Sequence, residues 1–141
     1  MSADTDAENA RGIAVKFWNH FHCKAWDQAK QLLTEDFEAY WPQSREKIVG
    51  RDNFIELNQI YPGHHKIEVQ NVRSEYDRWE HSHQVITKVY IHSQMPEGKE
   101  LKLFAISFFE INSDEQIASA TEYWADCSEP PEWRKHLVER Y

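Results

Sequence analysis

Apolar residues recur every three or four positions through the first part of the chain and then alternate through the second. Ala10, Ile13, Ala14, Phe17 and Phe21 follow the first pattern, which lays them along one stripe of a helix from about Asp6 to His22 or beyond. Thr5-Asp6-Ala7-Glu8 has the form of a capping box at its start. Trp26, Ala29, Leu32 and Leu33 mark a second, shorter helix, ended by Thr34-Glu35-Asp36. Phe37 to Trp41 then turns extended ahead of Pro42, because the residue before proline avoids the helical region. Gly50 and Asp52 open a third helix carrying Phe54, Leu57 and Tyr61, its first-turn acid suits the helix dipole, and Pro62-Gly63 stops it.

From His65 onward four extended runs follow: Lys66 to Tyr76, Gln84 to Ser93, Leu101 to Ile111 and Ile117 to Asp126. Asp77-Arg78, Pro96-Glu97-Gly98 and Asn112-Ser113-Asp114 separate them, and such short turns force antiparallel neighbours. Helices first and a meander afterwards is an α+β arrangement, with the helices packed in the concave side of a strongly curved antiparallel sheet. The third run is apolar on both faces: Leu101, Leu103, Ala105, Phe109 and Ile111 on one, Phe104, Ile106 and Phe108 on the other. One face packs on the helices; the other, with the neighbouring run Val85 to Ile91, is expected to be covered by a second copy. Pro130-Pro131 precedes a short terminal helix predicted through about Val138.

Composition narrows the class. A chain of 141 residues fits one domain spanning 1–141, and 40% hydrophobic residues with 13% aromatics exclude general disorder. Sixteen basic against twenty-four acidic residues give a net charge of -8, and no local basic patch invites a nucleic-acid backbone. Cys23 and Cys127 form no CxxC, so neither a disulfide framework nor a zinc knuckle is indicated and a reducing compartment fits. The polar, acidic N-terminus and the lack of a long apolar run point to a soluble cytoplasmic protein with no membrane partner.

Candidate chemistry concentrates in the last strand. Glu122, Trp124 and Asp126 share one face of it, so two carboxylates flank an indole, and burial there would raise their pKa values and suit them to acid-base work as catalytic groups. The competing readings are that Asp126 only starts the next turn and that Glu122 is a solvent-facing charge paired across the sheet. Trp41, Phe54, Tyr61 and Trp124 are the candidate ligand-binding walls, against simple core packing; Tyr40 points opposite to Trp41. His81-Ser82-His83 puts two imidazoles on one side, with His92 on the next stretch, but no third ligand or HExxH completes a metal site. His64-His65 is expected in an exposed loop, a pocket role being the alternative. Without a glycine-rich phosphate loop, GxSxG elbow or Cys-His pattern, no cofactor is called for.

Element order over nearly the whole chain, with Asp36-Phe37 through Trp41-Pro42, Ile48-Val49-Gly50-Arg51, Tyr61-Pro62-Gly63, Glu122-Tyr123-Trp124 with Asp126, and Pro131-Glu132-Trp133-Arg134, resembles the nuclear transport factor 2-like superfamily and its SnoaL-like members. That resemblance implies a cystatin-like α+β cone with a pocket in its mouth and commonly a homodimer through the outer sheet face. Enzymes of this fold include ketosteroid isomerase, scytalone dehydratase, limonene epoxide hydrolase and polyketide cyclases, while other members only bind ligands or proteins. Neither the ketosteroid isomerase set nor the Asp-Arg-Asp set of the epoxide hydrolases maps onto this chain; Asp126 alone carries over from the cyclase-like members. The expectation is a protein that binds a small hydrophobic or aromatic ligand, as a cofactor-independent isomerase, dehydratase or cyclase. The alternative is a non-catalytic binding or association module.

Overall fold

A computed structural model describes residues 3–141, with side chains from Asp6 onward. Helix α1, Ala3–His22, begins before Thr5, so that residue lies in the first turn and not at a cap; its side-chain bond falls outside the described residues. The stripe is as the spacing predicts, and Phe17, fully buried, stacks 4.3 Å from Phe21 and meets Phe109 edge-on at 5.0 Å. The helix ends in a left-handed residue, Lys24 (φ 56), with Ala25 N–H donating to His20 O at 2.8 Å and Lys24 N–H to Phe21 O at 3.2 Å. This paired closure satisfies the last carbonyls without a glycine.

Helix α2, Trp26–Gln31, stops before Leu33, which belongs to strand β1, Leu33–Trp41. The apolar spacing across Leu32 and Leu33 predicts a longer helix, but Leu33 is buried opposite Ile117 and the Ile117 N–H donates to Leu32 O. A sheet partner distant in sequence decides the boundary. Strand β2, Glu46–Val49, is the element that the hydrophobic pattern does not announce: only Ile48 of its four residues is buried. Its hairpin with β1 closes at Arg45 in a left-handed conformation (φ 58) instead of at a glycine.

Helix α3, Arg51–Ile60, follows Gly50, and then come β3, His64–Asp77, β4, Ser82–Gln94, β5, Glu100–Ile111, and β6, Ile117–Asp126. These form one six-stranded sheet in the order β2-β1-β6-β5-β4-β3. The predicted antiparallel meander runs from β3 to β6, but the sheet as a whole is mixed, because β1 lies parallel to β6. Parallel pairing needs a long connection, and here the intervening helix and four strands supply it.

Register shifts interrupt three of the strand pairs, one of them between Leu33 and Glu38 where β1 meets β6. Val69 pairs with Val89 and Asn71 with Lys88, leaving Gln70 as the extra residue in β3; Ile111 pairs with Ile117 and Glu110 with Ser119, which displaces Ala118 in β6. Each such insertion sharpens the local twist and shifts the inward set by one position. The helices cover the inner face, α1 against β3 and β4 and α3 against β1. The outer face carries Ile86, Tyr90, Phe104, Ile106, Phe108 and Tyr123, with Tyr90 and Phe104 rings 5.1 Å apart and Ile106 43% exposed. After β6 a short 3-10 helix, Glu132–Leu137, stands where an α-helix is predicted, with Trp133 and Leu137 exposed. Among the described residues no helix is long and apolar enough to cross a membrane.

Candidate functional site

The inner face of β5 changes from large to small along its length: Ile111 and Phe109 are buried against the helices, whereas Ser107 and Ala105 follow toward the open end. Space appears where the side chains shrink. A cavity of about 350 Å³ lies there, walled by Trp18, Phe21 and Trp26 from α1 and α2, by Phe54, Leu57 and Asn58 from α3, and by Trp41, Tyr61 and Trp124. The sheet contributes cross-strand neighbours: His65 beside Ser93, Ile67 beside Ile91, which in turn adjoins Leu103, and Ala105 beside Trp124. Gly63 (φ 99) lets β3 start against the end of β4, since a Cβ there would come within 2.6 Å of Gln94 O. That tight start sets His65 next to Ser93.

Glu122 is the polar centre of the wall. It is 8% exposed, pairs in register with Ser107, and accepts two hydrogen bonds, from Trp41 Nε1 at 3.1 Å on Oε1 and from Ser107 Oγ at 3.0 Å on Oε2. No lysine or arginine among the described residues forms an ion pair with it. Burial pushes its pKa up, and the two neutral donors only partly oppose that. The competing reading of a solvent-facing, salt-bridged strand charge therefore does not describe Glu122. Trp41 and Trp124 stand edge to face, 5.2 Å apart at 90°, and the Trp124 N–H donates to Gln43 Oε1 at 3.1 Å, which ties the β1–β2 turn to the rim.

Asp126 is placed differently. It lies at the end of β6 opposite Leu103, exposed, outside the cavity lining, and without a hydrogen bond or ion pair among the described residues. Asp126 thus stands where the chain leaves the sheet, as the competing reading has it, and not in the pocket. Tyr40 does face away from Trp41, with its hydroxyl donating to Glu38.

His65 is the residue that the sequence undervalues. Instead of sitting in an exposed loop it belongs to β3 and lines the cavity, its Nδ1 2.6 Å from Ser93 Oγ and its ring 4.7 Å from that of Tyr61. Desolvation, with the Lys24 charge nearby, holds its pKa below the ordinary value, although the Pro62 carbonyl works the other way. The alternation His65, Ile67, Val69 was the available signal. The other histidines disperse: His81 occupies a left-handed turn (φ 52), His83 lines a second, more polar cavity beside Tyr76, and His92 lies 3.6 Å from the Glu100 carboxylate. No group of three or more metal-binding side chains converges among the described residues.

Solved structures share this architecture. A candidate ketosteroid isomerase from Kribbella flavida matches with a TM-score of 0.77 at 28% identity, over 96% of this chain and 92% of that one. An NTF2-like protein of unknown function from Burkholderia xenovorans matches at 0.73 and 24%, over 95% and 96%. An LEH-like epoxide hydrolase of M. tuberculosis matches at 0.71 and 13%, over 85% of each chain. No family model and no curated protein matches the sequence. The chain has the α+β cone fold of these nuclear transport factor 2-like structures, and two candidate SnoaL-like polyketide cyclases, 9% and 14% identical to it, share that fold.

Proposed function

We propose that the protein binds a small, largely apolar ligand in the cone and performs cofactor-independent acid-base chemistry on it, as an isomerase, dehydratase or cyclase does. The observation that carries this reading is Glu122: a buried carboxylate with raised pKa, oriented by Trp41 and Ser107, in a wall otherwise made of rings and aliphatic groups. A carboxylate tuned toward neutrality is suited both to take a proton and to return it. In an isomerisation, Glu122 removes a proton from a carbon next to a carbonyl, the electron pair rests on the carbonyl oxygen, and the same proton returns to a carbon further along. Trp41, Phe54, Tyr61 and Trp124 hold the ligand and exclude water, with His65 as a neutral polar neighbour. Asp126 has no part in this scheme.

The alternative is a non-catalytic binding or association module, favoured by the fact that Glu122 is the one carboxylate among the described residues that lines the cavity. Conversion of cyclohex-3-enone to its conjugated isomer, followed by ultraviolet absorbance, separates the two. The parent protein is expected to accelerate it, and Glu122→Gln to lower the rate by about 10²–10⁴-fold. No acceleration across a set of β,γ-unsaturated ketones, with those ketones bound equally by both proteins, would leave the module.

The outer sheet face supports a homodimer in the same proposal, since Phe104, Ile106, Phe108 and Tyr123 present apolar area that a second copy buries at roughly 25 cal/mol per Å². Sedimentation of the parent at micromolar concentration is expected to give a dimer and Ile106→Arg a monomer; a monomeric parent refutes it. A cytoplasmic location accords with Cys23 and Cys127, both free and exposed, and the net charge of -8 disfavours nucleic acid.

A further inference from the structure

We propose that the ligand of this cavity carries an ammonium group, seated between the Glu122 carboxylate and the indole faces of Trp41 and Trp124. The inference deepens the preceding reading and rests on it, because it takes Glu122 as the functional group of the cone. Its first support is charge accounting. Both donors to Glu122 are neutral, so the ionised carboxylate lacks a counter-charge, and an uncompensated buried charge is costly until a cation joins it. Nothing in the cavity lining is a lysine or arginine, so an anionic ligand would find no partner there and would meet Glu122.

The second support is the shape of the wall beside the carboxylate. Trp41 and Trp124 meet edge to face at 90° with centroids 5.2 Å apart, and both line the cavity with Glu122. Indole faces carry the negative side of the ring quadrupole and attract cations, quaternary ammonium groups in particular. Trp41 donates its indole N–H to Glu122, so the same side chain fixes the carboxylate and lines the cavity. The remaining apolar walls, Leu57, Ile67 and Leu103 among them, take the hydrocarbon body.

Of the other charged groups around the site, the Lys24 amine opposes a cation as it opposes a proton on His65, but it stands outside the lining. Burial disfavours the charged form of His65 on β3, Tyr61 follows α3, and the Asp126 carboxyl lies at the end of β6 beyond the lining. Lys24 lies outside the lining, its amine 3.4 Å from Gly63 O. The net charge of -8 steers cations toward the protein in general. Binding is then linked to protons: the ammonium group favours the ionised carboxylate, so protons are released and affinity rises as pH rises through the Glu122 titration.

Choline and its neutral isostere 3,3-dimethylbutan-1-ol test this, titrated against intrinsic tryptophan fluorescence and by calorimetry in buffers of different ionisation enthalpy. Choline is expected to bind at least about 10-fold more tightly than the alcohol at alkaline pH, in line with a desolvated cation beside a carboxylate and aromatic faces. Its affinity should fall as pH falls, with proton release, while the alcohol stays flat. Glu122→Gln should bring the two ligands close to parity, and Trp124→Leu, at the half-exposed rim, should weaken choline more than the alcohol. Equal or tighter binding of the alcohol at every pH, no response to either variant, or no choline binding at millimolar concentration overturns the ammonium assignment. Those results leave the enone assay untouched, so the two readings fail separately.

Discussion

Glu122 and Asp126 stand four residues apart on one face of one strand, yet only Glu122 is inside the protein. Opposite Glu122 are Ser107 and Trp41, both donating to it; opposite Asp126 is Leu103, and nothing closes over it. Trp124, 36% exposed, marks the border between them. Strand alternation tells which way a side chain points, while its depth depends on how far the second layer reaches. Two carboxylates that look equivalent in sequence thus become a tuned buried group and an exposed one.

Removing a donor from the buried member should give the larger effect. Ser107→Ala leaves Oε2 of Glu122 without its partner and should cost about 1–3 kcal/mol in urea denaturation. The loss should be greater at alkaline pH, where the carboxylate is charged, than at acid pH. A loss of equal size at all pH values would mean that the hydroxyl serves packing and not the charge. At the exposed member, Asp126→Asn should change stability by less than about 0.5 kcal/mol, as is usual for surface positions without partners, and should leave enone isomerisation unchanged. A clear fall in rate with Asp126→Asn would restore that residue to the site.

The same contrast accounts for what the sequence discloses and what it withholds. Periodicity finds α1, α3 and the four meander strands, because each has an apolar set repeated often enough to define a face; β6 matches at both ends. Strand β2 offers one buried residue and has no face to read, and the parallel partnership of β1 with β6 arises from contacts more than eighty positions apart, as Leu33 with Ile117 illustrates. The aromatic walls Trp41, Phe54, Tyr61 and Trp124 are nameable in advance because large rings must go somewhere. Which carboxylate they enclose is not, since it follows from Ala105 and Ser107 making room and from Trp41 arriving by way of β1. His65 is expected in a loop, with the pocket only as the alternative, for a related reason: its burial comes from Tyr61 and Ser93, neither of which marks the residue locally.

Titration of the Glu122 side-chain carboxyl by carbon-13 chemical shift, with the Glu122→Gln variant to assign it, bears most directly on the tuned carboxylate. Its folded pKa lies above the ordinary 4.5, raised by burial, so folding favours the protonated form. The sign for stability follows: this contribution is full below the unfolded pKa and is lost as pH rises through the folded one. Gln keeps both contacts, with Oε1 facing Trp41 Nε1 and its amide donating to Ser107 Oγ, while carrying no charge. The variant should therefore gain stability over the parent as pH rises. An inflection for Glu122 above the usual carboxylate range, with that gain, is the expected result; an inflection at or below the range, with no pH-dependent difference between the two proteins, would contradict it.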